Sequence, residues 1–299
     1  MNLTPDRSSN TESLDPDDWE EFRRIAYLAV DDMIADLQSV QEHAAWQEVP
    51  ELTKCKLDEP IPWKGQPLSE VYAEFSERIR PYPTGNAHPR FFGWVVGNGT
   101  PTGALADFLA SWMNAHVAGC SQSATVIEEK VLSWLKELMG YPTKSSGLLV
   151  SGGTMANINA LIVARNSLLR TGVCREQQKP DNLTIYGSSE THNWIMKACE
   201  VMGIGTNAFR AVPVNDRFQV DCTSLEESIE QDIRQGFRPL CIIGNVGTVN
   251  TGAIDDIARL RQIADRFGVW LHVDGAFGSM AAWGPDPRIP LIYKSRNIS

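Results

Sequence analysis

From Ser146 onward the sequence alternates short apolar runs, small-residue turns and amphipathic stretches of helical length, and few folds tolerate that order. Gly147 to Val150, Leu183 to Tyr186, Phe209 to Val214, Leu240 to Ile243 and Trp270 to Asp274 read as strands. Between them, Thr154 to Arg165, the stretch from His192 to near Gly203, Thr223 to Gly236 and Asp255 or Asp256 to Phe267 read as helices. The third is expected to open with a capping box, Thr223 to Glu226. Strands alternating with helices of ten or more residues indicate parallel neighbours, which need such crossovers because only antiparallel neighbours can be joined by a hairpin. The expected class is therefore α/β, a mostly parallel sheet with crossover helices. Ligands in such sheets gather at the C-terminal strand ends, so the residues just past each strand carry the chemistry.

Ser151-Gly152-Gly153-Thr154 follows a strand and opens a helix. That geometry aims free N–H groups and the positive helix end at an anion such as a phosphate, with the Thr154 hydroxyl beside it. Alternatively it is only a tight connection. No Gly-Lys-Ser/Thr follows, so it is not a nucleotide P-loop. Gly203 to Ala208 has dinucleotide-type glycine spacing but sits after a helix and before a strand, so it reads as a helix C-cap. His192 reads either as an aromatic plate or acid/base group, or as a surface or capping histidine. Asn245 opens an Asn/Thr/Gly loop. Asp274 ends an apolar strand amid Gly and Ala, where a carboxylate is costly unless a cation or several hydrogen bonds meet it; the alternative is a carboxylate that merely caps the next turn. His272 is assigned to the face opposite Asp274's neighbours and read as structural. No Gly-x-Ser-x-Gly hydrolase elbow occurs.

The first part of the chain is different. Residues 1–14 are polar and read as a disordered tail. Asp15 as N-cap and Pro16 in the first helical position start a helix whose apolar face is Trp19, Phe22, Ile25, Ala26, Ala29, Met33 and Leu37. Val49 to Gln66 reads as Pro-rich and extended, and Leu68 to Ile79 as a short helix. This arm has too little core to stand alone and needs a partner surface, either the main domain or a second copy of the chain. His88-Pro89-Arg90-Phe91-Phe92-Gly93-Trp94 opens a Gly-rich loop, followed by helices Ala104 to Ala115 and Thr125 to Met139. Phe91, Phe92 and Trp94 read equally as pocket or core. The formal charge of −10 argues against nucleic acid as a partner. The six cysteines are scattered without metal-ligand spacing, which fits a reducing compartment, and no apolar run approaches a membrane span. A cytoplasmic location is expected.

Taken in order, Ser151-Gly152-Gly153-Thr154, Glu190-Thr191-His192, Asn245-Val246-Gly247-Thr248 and His272-Val273-Asp274-Gly275-Ala276 resemble the group II pyridoxal-phosphate decarboxylases, from about Asp15 to Trp283. These include the aromatic amino acid, histidine, tyrosine and glutamate decarboxylases, and His88-Pro89-Arg90-Phe91 fits them too. The resemblance implies a fold-type I transferase-like domain over 86–283 behind a helical arm at 15–85, decarboxylation of an L-amino acid, pyridoxal 5'-phosphate as cofactor, and a homodimer. It implies that Gly153 and Thr154 bind the cofactor phosphate, that His192 stacks on the ring and acts catalytically, and that Asn245 lies near the cofactor or substrate carboxylate. Asp274 would pair with the ring nitrogen and Ala276 pack beneath the ring. Relatives of this type carry a cofactor-bonding lysine behind a histidine after a further strand. Here 284–299 diverges and holds only Lys294, behind Tyr293, so a truncated form lacking that lysine is expected. The same analogy expects a gap between the Gly147–Val150 strand and the Asp274 strand, and so exposed apolar surface.

Overall fold

The structure, a computed structural model, describes residues 15–116, 121–169 and 182–283. The two tails expected at 1–14 and 284–299, with Lys294, lie outside the described residues. The chain divides into two compact units, the first running to Ala115 and the second beginning at His116.

In the first unit, helix α1 spans Trp19–Ser39, α2 Glu51–Leu57, α3 Leu68–Glu74, continued by a π-turn Phe75–Ile79, and α4 Pro101–Met113. The start expected at Asp15 is displaced to Asp18, whose carboxylate accepts from the N–H groups of Glu20 (2.8 Å) and Glu21 (3.1 Å). Of the competing acids, the one that reaches two free N–H groups sets the boundary. The stretch expected to be wholly extended contains α2. Pro50 precedes its first turn, and Lys54 reaches back to Glu51 at 2.6 Å. Arg80 ties the α3 region to α1 through Asp32 (2.7 Å) and Asp36 (2.7 Å).

The second unit holds α5 (Ser123–Met139), α6 (Gly153–Leu169), β1 (Leu183–Ser188), α7 (Trp194–Val201), β2 (Phe209–Val212), α8 (Cys222–Arg234), β3 (Arg238–Asn245), α9 (Ile257–Phe267) and β4 (Trp270–Asp274). The strands form one parallel sheet in the order β2-β1-β3-β4. Alternation along each strand sends side chains to two cores. Leu183, Ile185, Cys241 and Ile243 pack with residues of α6 and α7, whereas Tyr186 and Ile242 pack with residues of α8 and α9. Helices thus cover both faces, as parallel sheets require. At Gly244 a Cβ would lie 2.7 Å from Ile257, so the glycine lets α9 close on β3.

Two expectations fail here. Gly147 to Val150 belongs to no strand, and Leu148 and Leu149 are exposed, because no neighbouring ladder receives their N–H and C=O groups. Helix α8 is capped by Asp221, which accepts from Ser224 N–H at 2.7 Å, rather than by the Thr223 box. The carboxylate two residues earlier wins the free Ser224 N–H and leaves Thr223 inside the helix.

Candidate active site

Three loops converge at the C-terminal end of β3 and β4. The register sets Asn245 beside Asp274. The chain past Asp274 is sewn to the β3 exit: Val246 N–H donates to Asp274 C=O (2.8 Å), Gly278 N–H to Val246 C=O (2.9 Å) and Ser279 N–H to Gly275 C=O (3.0 Å). Glycine is needed in this turn, since a Cβ at Gly275 would overlap Ser279 and one at Gly278 would fall 2.6 Å from the Val246 carbonyl. Asp274 is thereby held on a rigid element.

Its carboxylate is met by three neutral donors. Oδ2 accepts from the indole Nε1–H of Trp194 (2.6 Å) and the Asn157 side-chain amide (3.2 Å), while Oδ1 accepts from Ala276 N–H (3.1 Å). Among the described residues Asp274 has no ion-pair partner. A half-buried carboxylate solvated by neutral dipoles keeps its charge available for a cationic guest.

His272 lies on the same side of β4 as Asp274, two residues earlier, and meets Asn157 Oδ1 through Nε2 at 2.7 Å. Its ring stands edge-on to Trp194, centroids 5.8 Å apart. Burial pushes the imidazole down to about 4, against the pull of the Asp274 charge, so it is neutral at physiological pH. The face expected for His272, opposite Asp274's neighbours, is the one observed, since i and i+2 share a strand face.

His192 is exposed at the entry to α7, and its Nδ1 accepts from Trp194 N–H at 3.2 Å. Trp194 therefore touches both His192, through its backbone, and Asp274, through its indole. Gly153 opens α6 and faces this end of the sheet, because a Cβ there would stand 3.6 Å from Ala276 Cβ. Thr154 follows in the first turn of α6. Asn245 is buried in its own network: its amide donates to Ser188 (3.3 Å), Thr191 (3.2 Å) and Asp255 (3.2 Å). Asp255 also accepts from the N–H groups of Asn245 and Val220, both at 2.7 Å, yet burial still raises its carboxyl above the usual range.

Of the residues expected at the site, Gly153, Thr154, His192, Asn245, Asp274 and Ala276 all lie on the segments described above, and Asn157, Trp194 and Asp255 join them without having been singled out from sequence. A signal existed for Asn157, which shares the helical row of Leu161 and Ala164, both buried. A polar residue in a buried row has a partner to find.

The architecture is that of a doubly covered parallel sheet with a strand-end carboxylate, a helix N-terminus and an exposed imidazole around one edge. Residues 50–290 match the pyridoxal-dependent decarboxylase conserved domain, and the chain belongs to that family. It is 32% identical over 267 residues to the aromatic-L-amino-acid decarboxylase of Bacillus atrophaeus, covering 88% of this chain and 54% of that one. With the phenylacetaldehyde synthase of a Rosa hybrid cultivar it shares 29% over 295 residues, 94% of this chain and 56% of that protein. The tryptophan decarboxylase of Catharanthus roseus, solved in complex with L-tryptophan, superposes with a TM-score of 0.77 at 26% identity, over 87% of this chain and 56% of that one. The chain spans about half the length of the curated relatives it matches.

The site fits the family's cofactor. A carboxylate with no ion-pair partner among the described residues suits a protonated pyridine nitrogen, and the start of α6 suits a phosphate. Gly153 and Ala276 present no bulk between the two.

Proposed function

We propose that this chain serves the pyridoxal-phosphate-dependent decarboxylation of an L-amino acid to its amine. The observation that carries the reading is Asp274: a carboxylate on a rigid strand end, solvated by three neutral donors and lacking an ion-pair partner among the described residues. When bound, the cofactor supplies a protonated ring that takes up the electron pair left at Cα as CO₂ departs. The protein's part is to hold that ring and keep it protonated. Asp274 binds the ring N–H and favours its charged form. Gly153 and Thr154 receive the phosphate with free N–H groups and a hydroxyl. His192 would help to hold the ring with its aromatic face. Because its Nδ1 accepts from Trp194 N–H, Nε2 is the ring nitrogen left to meet a substrate atom by a hydrogen bond. Ala276 would help to hold the ring, and Asn245 holds Thr191, the residue before His192.

The relatives' names make an aromatic L-amino acid the first substrate to assay. A homodimer is part of the proposal, supported by the exposed apolar side chains of α1 and α4. A cytoplasmic setting is supported by the free thiols of Cys55, Cys199, Cys222 and Cys241. Among the described residues no helix is long and apolar enough to cross a membrane, and the net charge of −10 disfavours nucleic acid. The test is a titration with pyridoxal phosphate followed by assay of CO₂, amine and aldehyde from aromatic amino acids. Stoichiometric binding that Asp274→Ala abolishes, with equal yields of CO₂ and amine, supports the reading. Aldehyde in place of amine redirects it toward the synthase relatives, and absence of binding defeats it.

A further inference from the structure

Asn157 is used at both ends. A carboxylate can only accept, so the Asn157 group facing Asp274 Oδ2 at 3.2 Å must be the NH₂. That leaves Asn157 Oδ1 toward His272, and His272 must then donate from Nε2, at 2.7 Å. One acceptor-only group thus decides the orientation of the amide and the tautomer of the ring beyond it. Asn157 is itself buried, 6% exposed, and sits on α6, while Asp274 and His272 share β4.

The two oxygens of Asp274 are left in different states. Oδ2 carries two donors, Trp194 Nε1 and Asn157 Nδ2, and its lone pairs are filled. Oδ1 carries one, Ala276 N–H, and keeps a lone pair. We infer that Asn157, oriented by His272, is a positioning residue that with Trp194 pins Oδ2 and so makes Oδ1 the oxygen offered to the cofactor's ring nitrogen. The role rests on the cofactor-binding reading above and deepens it. It follows from the chemistry of the pair: a carboxylate free to rotate presents either oxygen and loses directionality, whereas one clamped at a single oxygen is preorganised. His272 contributes a donor without a charge, because a cation there would compete with the ring for Asp274.

The test uses the full 299-residue chain, pyridoxal phosphate labelled with ¹⁵N in the ring, and the variants Asn157→Ala, His272→Phe and Trp194→Phe. Wild-type protein is expected to bind the cofactor with a protonated ring nitrogen by ¹⁵N shift. Asn157→Ala is expected to weaken binding by about 10-fold or more, the size seen when outer partners of a metal ligand are removed, and to move the shift toward the unprotonated value. Trp194→Phe and His272→Phe are expected to do the same to a smaller extent. Cofactor-free wild type gives a readout that survives a misfolding variant. Long-range ¹H–¹⁵N spectra are expected to show His272 neutral with its proton on Nε2. A His272 proton on Nδ1, or wild-type affinity and ring shift in a folded Asn157→Ala, overturns the positioning role alone. Wild-type protein that does not bind the cofactor overturns the site reading as well.

Discussion

The two units spend their apolar residues in opposite ways. In the second, Ile185, Ile243, Leu225 and Leu260 are fully buried on either side of a sheet that helices cover on both faces. In the first, Ile25 is the buried apolar side chain among the described residues, while Trp63, Phe92 and Trp94 are more than four-fifths exposed. Phe92 and Trp94 are therefore not core within their unit. What organises the first unit is polar, namely Arg80 between Asp32 and Asp36 and the Tyr72 hydroxyl on Asp32 at 2.6 Å. A parallel sheet buries both faces by construction, whereas separate amphipathic helices bury one face only when another surface is brought to them. Polar ties position such helices without supplying much stability.

Four measurements press on this contrast, taken from the largest expected effect downward. Ile243→Ala, at 0% exposure, should cost the second unit about 3 kcal/mol in urea unfolding, since buried large-to-small changes cost that much. Phe22→Ala in α1, already 41% exposed, should stay within about 0.5 kcal/mol. Equal costs would dissolve the contrast. Next, Asp232→Ala strips the partner from both the Tyr186 hydroxyl (2.7 Å) and Arg210 (3.0 Å) at a buried point, so a loss of about 2 to 3 kcal/mol is expected.

The third measurement is stability against pH. His272 is held at about 4 when folded, against 6.5 when unfolded, so below 6.5 the unfolded chain binds the extra proton. Its contribution is complete above 6.5 and lost as pH falls toward 4. Each pH unit of that interval carries at most about 1.4 kcal/mol. Asp255 acts in the reverse sense: its raised carboxyl favours the folded form at low pH and withdraws that support as pH rises above 3.8. Comparing wild type with His272→Phe isolates the histidine, and the variant should show the flatter acid limb. The smallest effect belongs to the first unit, where Arg80→Gln should cost about 1 kcal/mol and lose most of that cost in high salt. An Arg80→Gln cost matching that of Asp232→Ala would mean that the polar ties of the arm carry far more than their exposure allows.

Much of this molecule is local information. Apolar runs of strand length, Gly-rich exits and helical spacing suffice to mark β1, β3, β4 and the helices between them. Because parallel neighbours need crossovers, the same pattern dictates a parallel sheet and puts Asp274 at its ligand-bearing end. The closeness of Gly153 to Ala276 is not part of that local information, because the chain before Gly153 forms no strand. What sequence could not supply are outcomes of competition and of distance. Asp18 over Asp15, and Asp221 over Thr223, are choices among adjacent caps that differ by little in energy and are settled by which oxygen reaches a free N–H. Gly147 to Val150 has a strand's composition, but a strand exists only when a neighbour accepts its hydrogen bonds. The donors that define the Asp274 carboxylate, Asn157 and Trp194, lie 117 and 80 residues away in the chain. No periodicity encodes such a meeting. Only the packing of α6 and α7 on one face of the sheet brings this amide and this indole to the same oxygen, Oδ2, and with that it decides which oxygen is left freer.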